Sequence, residues 1–313
     1  MIKYIIRRLL IIIPILLGIS LIVLILEEYL QARSGLRFDG SFFVRYIQFI
    51  RSTLHGDLGR SFATNRPIWS EITQRFPYTL MLATTSLVLS VGIGIPLGIY
   101  AATHQYTWKD NSSILVTLLC ISIPDFLFAM LLVQLFSVKL GILPVAGIVR
   151  WQGWILPVAS LALGSTAVIA RQMRSNILDV IRQDYIVTAR AKGQTESRVL
   201  YRHALKNALI PIIMTVGSIL GTSLGGALIA EVIFSIPGLG SYTLTGLINR
   251  DYPVIQGSIL FLSALFCVVI LVVDIAFAFV DPRVRSGFIR QRKRAYVQNL
   301  RRYSYDAGKS KTL

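Results

Sequence analysis

Long runs of apolar residues with few or no charges alternate along the chain with short polar segments. A helix needs about 20 apolar residues to cross the roughly 30 Å hydrocarbon core of a bilayer, and six runs approach or exceed that length. We therefore predict six transmembrane helices rather than the buried helices of a soluble protein. The six runs are Leu9–Leu26, Phe76–Trp108, Asn111–Val138 (interrupted by Asp125), Trp151–Ala170, Asn207–Ala230 and Tyr252–Val273.

The composition supports a membrane protein, because 54% of the residues are hydrophobic and only 15% are charged, against about 25% charged residues in a soluble domain. The first run follows Lys3, Arg7 and Arg8, and a secretory signal begins in the same way. Its apolar stretch is longer than a signal core and runs on without a clear cleavage site, so we predict a retained span. Cys120 and Cys267 lie within predicted spans and indicate neither a disulfide framework nor a metal site.

The distribution of positive charge predicts the orientation of these spans. Lys and Arg accumulate in the cytoplasmic loops of membrane proteins. With the N-terminus inside, the cytoplasmic segments hold roughly two thirds of the 32 Lys and Arg residues, so both termini are predicted to be cytoplasmic. The net charge of +17 then reflects membrane orientation, and no zinc-finger or aromatic-basic pattern indicates nucleic-acid binding.

One compact segment, residues 184–211, is unusually polar for this chain and lies between the fourth and fifth predicted spans. Gly193 can adopt the left-handed conformation that ends a helix, and the Thr-Glu pair that follows it suits the start of another. Leu and Ala then recur at helical spacing, while Arg198, Arg202 and Lys206 form a basic stripe. The pattern predicts two short helices joined at the glycine, and it fits either a lipid surface or a protein partner.

Several longer motifs follow one another in a particular order. They are "MIKYIIRRLLIIIPILLG" at the N-terminus, "HGDLGRSFATNRPIWSEI" before the second span, and "DYIVTARAKG" with "HALKNALIP" in the polar segment. "EVIFSIPGLGSYTLTGLINRDYPVIQG" and "VDIAFAFVDPRVR" complete the series. Together they resemble the permease subunits of ABC importers, and most closely those of the dipeptide, oligopeptide and nickel branch. The resemblance extends over most of the chain.

This resemblance implies an all-α permease fold with six transmembrane helices and a cytoplasmic coupling helix between spans four and five. In that family a short helix of this loop, here at about residues 176–210, sits in a groove of a separate ATPase subunit. Small residues would permit close seating, and charged residues would make the polar contacts. The implied coupling residues are Asp184, Ala189, Arg190, Ala191, Lys192, Gly193, Arg198 and His203.

The resemblance also implies a function and a set of partners. The chain would form half of a translocation pathway for di- or oligopeptides, beside a second homologous permease subunit. Two ATPase subunits would bind the ATP and Mg, so this chain is expected to be no enzyme and to bind no cofactor. An extracytoplasmic binding protein would deliver the substrate. The implied location is the cytoplasmic (inner) membrane of a bacterium or archaeon, which the chain would cross several times.

Two alternatives to a peptide permease remain at this stage. A nickel or metal-chelate importer would belong to the same family. A stand-alone channel or secondary carrier belongs to a different class, and it would show internal repeats and a dense intramembrane charge relay. Neither feature is detectable in this sequence.

An enzymatic reading rests on the Gly-x-Ser-x-Gly pattern at residues 221–225. A serine nucleophile needs a base within hydrogen-bond reach, but the three histidines lie in connections and no strand–turn–helix context surrounds Ser223. Glycines four residues apart instead allow transmembrane helices to pack closely. The predicted helix-packing glycines are Gly94, Gly98, Gly217, Gly221 and Gly225.

Three acidic residues lie in or beside predicted spans, where ionisable groups are functional candidates. Asp125 follows a proline that can open the helix, so it is a candidate for lining the path of a cationic or zwitterionic substrate or for pairing with a neighbouring helix. Glu231 lies near the external end of span five, where water could reach it. Asp274 is expected to pair with the arginines that follow it near the cytoplasmic boundary.

The sequence thus divides into four parts. An N-terminal segment with the first span covers residues 1–30, and an external loop covers residues 31–75. The five-helix permease core covers residues 76–285. The basic cytoplasmic tail, residues 286–313, is expected to be solvated or associated with lipid headgroups.

Overall fold

Helices form nearly all of the structure. A computed structural model describes residues 2–33, 41–148 and 150–280, and residues 281–313, which include the predicted basic tail, lie outside the described residues. Those described residues contain no β-strand, only an isolated bridge between Arg60 and Pro67. The helices are α1 (Ile2–Arg33), α2 (Phe42–Leu54), α3 (Ile68–Thr103), α4 (Trp108–Ser122), α5 (Asp125–Leu132), α6 (Ile155–Ile181), α7 (Asp184–Ala191), α8 (Glu196–Arg198), α9 (Leu205–Gly226), α10 (Leu228–Ile233), α11 (Leu239–Ile248) and α12 (Tyr252–Val280).

Among the described residues, five helical segments are long and apolar enough to cross a bilayer. A sixth predicted run forms the pair α4 and α5, which continues as a π-helix to Lys139 and bends by 99° between its two halves. The helical character predicted from the apolar runs is therefore confirmed, with five or six candidate spans. The five unbroken segments are Arg8–Tyr29, Ile68–Thr103, Trp151–Ile181, Glu196–Gly225 and Tyr252–Phe277.

The bend between α4 and α5 has a local cause. Pro124 has no backbone N–H, and its ring disfavours a helical conformation in the preceding residue. Ile123 accordingly is extended, with φ −91° and ψ 124°. The helix restarts at Asp125, whose position at the first turn of α5 follows from this break.

The second span begins earlier than the apolar run suggested. α3 starts at Ile68, inside the segment that the hydropathy assigned to the external loop. Its first turns tolerate charge because Arg75 pairs with Glu71 one turn earlier, at 2.9 Å. The segment before α3 also contains the amphipathic helix α2. The hydroxyl of its Tyr46 donates a hydrogen bond to the carbonyl of Leu17 in α1 at 2.9 Å.

The most extensive helix contact joins α3 to α6. A Cβ on Gly94 would lie 2.9 Å from the carbonyl oxygen of Thr166, and one on Gly98 would lie 2.5 Å from that of Ala170. Only a residue without a side chain allows this approach of the two backbones. The backbone spacing of this pair of helices therefore depends on both glycines.

The same helix α6 is joined to α4 by a largely buried ion pair. The Arg174 Nε and Nη2 atoms donate to the two carboxylate oxygens of Asp110 at 2.6 and 2.7 Å. Asp110 is only 1% exposed, and a fork-to-fork pair of this kind satisfies both groups in a fixed orientation. The pair anchors the start of α4 beside the C-terminal half of α6.

The helices α9, α12 and α1 form a second packed group. Cβ atoms on Gly217 and Gly221 would collide with the side chains of Val273 and Phe266 in α12. Gly225 differs, because no heavy atom of the described chain lies within 4 Å of the place its Cβ would take. Packing within the chain therefore requires glycine at the first two positions and not at the third.

Asp274 of α12 pairs with a residue of another helix. Arg8 of α1 contacts its carboxylate at 2.8 Å, whereas the arginines that follow Asp274, which were its expected partners, lie outside the described residues. The Asp274 side chain is 5% exposed, and an ion this well covered needs a nearby counter-charge. The ion pair joins the first and last described helices.

Candidate functional site

The polar segment between α6 and α9 folds as one helix, a glycine turn and an extension of the next span. α7 ends at Ala191, and Gly193 takes φ +74°, the left-handed conformation predicted for it. The second short helix is not separate, contrary to the prediction. α8 passes through a π-helical stretch, Val199–Ala204, directly into α9. Any movement of α8 is therefore transmitted to the transmembrane helix α9.

The inner side of this segment belongs to the core of the chain. Ile186 and Ala189 of α7 pack against Val199 and Ala204, and all four side chains are buried. Ala189 was expected to face an ATPase subunit as a small seating residue. It is 7% exposed, so its small side chain serves the contact between α7 and the start of α9.

Two polar contacts close the glycine turn. The Arg190 Nε and Nη2 atoms donate to the two carboxylate oxygens of Glu196 at 2.7 and 3.1 Å. His203 Nε2 and Gln194 Oε1 lie 2.7 Å apart. Arg190, which was expected to make a polar contact with an ATPase subunit, and His203, which was predicted to belong to the coupling loop, are thus engaged within the chain and hold the turn in one shape.

The outer face of the segment remains open. Tyr185 and Val187 expose 43% and 57% of their surface, and large apolar groups exposed together mark interaction surfaces. Within the described part of the chain, Asp184, Lys192 and Arg198 make no side-chain hydrogen bond or ion pair. We call this set the outer face of α7–α8. Its residues are Asp184, Tyr185, Val187, Ala191, Lys192 and Arg198.

Glu231 belongs to α10, and its carboxylate lies at the N-terminus of α11 and not in water. It is completely buried, which corrects the expectation that water could reach it. Its carboxylate accepts hydrogen bonds from the Thr79 hydroxyl at 2.6 Å and from the Ser241 N–H at 2.9 Å. Burial raises the pKa of Glu231, and these hydrogen bonds act in the opposite direction. A Cβ on Gly238 would collide with this carboxylate, so the glycine makes room for it.

Asp125 lies at the α4–α5 break and faces a cavity bordered by α6 and α9. A Cβ on Gly164 of α6 would lie 3.0 Å from the Asp125 Oδ1 atom. Pairing with a neighbouring helix was one of the two roles considered for Asp125. Among the described residues no hydrogen-bond or ion-pair partner reaches its carboxylate.

One buried polar cluster was missed by the sequence analysis. Asp251 accepts hydrogen bonds from the Ser61 hydroxyl at 2.5 Å and from the backbone N–H groups of Phe62 and Ala63 at 3.1 and 3.2 Å. It thereby ties the turn before α3 to the turn before α12. The two turns are nearly 190 residues apart in sequence, so no local pattern relates them.

These features are those of a membrane permease subunit with a polar loop between two spans. The chain belongs to the family described as binding-protein-dependent transport system inner membrane component, whose model matches residues 94–286. It is therefore a multi-pass inner-membrane permease subunit of an ABC importer, as the motifs indicated, and not an enzyme. Membership also implies ATPase and substrate-binding partners.

Curated relatives extend the similarity over nearly the whole chain. The glutathione transport system permease protein GsiC of Escherichia coli (strain K12) is 38% identical over 304 residues, which cover 91% of this chain and 99% of that protein. The protein of the same name from Salmonella paratyphi A (strain ATCC 9150 / SARB42) is 37% identical with the same coverage. The predicted relationship to the peptide branch of these permeases is confirmed.

A solved structure supports the fold. A chain of the inward-facing MetNI methionine ABC transporter, in its native crystal form, superposes with a TM-score of 0.57 at 19% identity. The match covers 67% of this chain and 96% of that one. At this identity the likeness concerns the fold alone.

Proposed function

We propose that this chain forms one half of a translocation pathway for small peptides and couples it to separate ATPase subunits. Relatives that are 38% identical over nearly their entire length are named as glutathione permeases, and glutathione is a tripeptide. This similarity favours a peptide substrate over a nickel complex. A second, homologous permease subunit would supply the other half of the pathway.

We propose six spans with both termini in the cytoplasm, the α4–α5 pair serving as the third span. The excess of Lys and Arg in the segments that this orientation puts inside supports it. In this arrangement α7 and α8 lie on the cytoplasmic side, whereas α2, α10 and α11 lie toward the outside. The peptide would reach the outer side from a binding protein.

The outer face of α7–α8 is the observation that carries the coupling proposal. The inner side of the same segment is sealed against the chain's own core, and the Arg190–Glu196 pair closes its turn. The unit is thus stiff, exposed on one side, and continuous with α9. A stiff unit of this kind can convert closure of two ATPase subunits into a tilt of the transmembrane helices. ATP and Mg would be bound by those subunits.

The test uses the complete transporter, reconstituted with its binding protein, and reads peptide uptake together with ATP hydrolysis. Arg190→Glu and Glu196→Arg each place like charges across the turn, so we expect each to lower uptake of glutathione or dialanine several-fold. The double exchange restores the attraction and should recover most of the loss. The amount of assembled transporter, measured by size-exclusion chromatography, controls for folding.

Two outcomes contradict separate parts of this proposal. Unchanged uptake in both single variants would show that the turn is not part of the coupling unit. A transporter that hydrolyses ATP in response to its binding protein but imports no peptide would refute the peptide substrate while leaving the coupling unit intact.

A further inference from the structure

The break between α4 and α5 opens a cavity that is lined by both polar and apolar residues. Its volume is about 390 Å³, within the size range of small-molecule sites. Three elements supply its polar or small residues: the break itself, α6 and α9. Those residues are Cys120, Asp125, Gly164, Ser165, Thr222 and Ser223.

The Asp125 carboxylate is the charged group of this cavity. Its side chain is exposed in the single chain, and no cation among the described residues pairs with it, so within a membrane its charge calls for water or a counter-charge from outside this chain. Its position in the first turn of α5 places it near the partial positive charge of a helix N-terminus, which offsets part of the cost of desolvating a carboxylate. Gly164 leaves space directly beside Oδ1.

Hydroxyl groups line the same cavity and supply further acceptors. The Thr222 hydroxyl donates its hydrogen to backbone carbonyls within α9, so its lone pairs can accept hydrogen bonds. Within the described chain, Ser165 and Ser223 use their hydroxyls in no hydrogen bond. An ammonium group has three donors and no acceptor, which matches a cavity that contains one carboxylate and several hydroxyl oxygens.

We infer that this cavity binds the terminal ammonium group of the transported peptide, a role that rests on the proposed peptide import. A helix-start aspartate alone would explain neither the space left by Gly164 nor the hydroxyls on two other helices. Asp125 is then a specificity-determining residue that attracts the positive end of a zwitterionic substrate and holds it where the helix is interrupted.

Cys120 lines the same cavity, so its thiol can report the local charge preference. In the complete transporter with Cys267→Ser and without binding protein, Cys120 is labelled with either aminoethyl or sulfonatoethyl methanethiosulfonate. Both reagents form a mixed disulfide with the thiolate and release methanesulfinate, and they differ in charge. The labelled chain is quantified by mass spectrometry.

We expect Cys120 to react faster with the ammonium reagent than with the sulfonate reagent. Asp125→Asn should reduce the ratio of the ammonium rate to the sulfonate rate by about tenfold, as loss of one nearby charge predicts. Dialanine should slow the labelling of Cys120, whereas N-acetyl-dialanine should not. Asp57→Asn is the matched control, because this exposed carboxylate lies far along the chain in the external loop and its hydrogen bond to the Gly59 N–H survives in the amide. It should leave the ratio unchanged.

A ratio near one in the unmodified chain, or a preference that survives Asp125→Asn, overturns the inference. It is also overturned if the preference depends on Asp125 but neither peptide slows labelling. If the Asp125→Asn transporter does not assemble, Ser223→Ala takes its place. Because it removes one acceptor, it should lower the ratio of the two labelling rates by less than tenfold. An unchanged ratio in Ser223→Ala would also overturn the inference. Uptake of dialanine, measured separately with the binding protein, decides the proposed function independently of these rates.

Discussion

Replacement of Glu231 by alanine should destabilise the permease, because the side chain is an internal cap for α11. The substitution leaves the Thr79 hydroxyl and the Ser241 N–H without their acceptor, and each buried unpaired group costs about 1–3 kcal/mol. Loss of a buried methylene adds about 0.8 kcal/mol. Relief from burying the carboxylate opposes these terms, so we expect the free energy of unfolding to fall by about 2–4 kcal/mol.

Glu231→Gln preserves the shape of the side chain and one acceptor oxygen, but its amide nitrogen, itself a donor, faces a group that donated to the carboxylate. We expect the free energy of unfolding to fall by about 1–2 kcal/mol, which corresponds to roughly one hydrogen bond. Thr79 donates to Glu231 and also accepts a hydrogen bond from the Leu239 N–H at 2.8 Å. The two side chains are therefore coupled, and the effect of the double variant Thr79→Val/Glu231→Gln on the free energy of unfolding should differ from the sum of the two single effects by at least about 0.5 kcal/mol.

Reversible unfolding by SDS in mixed micelles measures these free energies. Asp179→Ala is the matched control, since this carboxylate is exposed and lies in the same helical bundle; its effect should stay within about 0.5 kcal/mol. A change below about 1 kcal/mol for Glu231→Ala would refute the reasoning, because it would mean that water or another donor set replaces the carboxylate without penalty.

Three further results are expected. Gly193→Val should lower peptide uptake and crosslinking to an ATPase subunit together, because a branched side chain is strained at φ +74°. Gly193→Asn should retain both. Normal uptake and crosslinking in the Val variant would contradict a role of this turn in coupling. Gly98→Ala should destabilise the chain by about 1–3 kcal/mol through overpacking against α6, and Gly225→Ala should be nearly neutral, so equal effects would disprove the packing argument. In sealed cells an impermeant thiol reagent should label Phe62→Cys and not Thr195→Cys, and labelling of the latter would reverse the proposed orientation.

Asp274 and Glu231 illustrate where sequence analysis ended. Both were recognised as functional candidates from their positions in or beside an apolar run, but their partners were decided by helices distant in sequence. Asp274 pairs with Arg8, more than 260 residues away, and Glu231 with Thr79. Neither contact has a periodicity or a local spacing that could reveal it.

The sequence by itself determined the helical class, the approximate positions of the spans, the permease family and the left-handed turn at Gly193. These follow from apolar run length, motif order and the conformational freedom of glycine, which are properties of a segment read alone. Tertiary structure alone decided the burial of Glu231 and the use of Ala189 and Arg190 inside the chain. Burial and pairing depend on which surfaces of distant helices meet, and that is settled only when all the helices pack together.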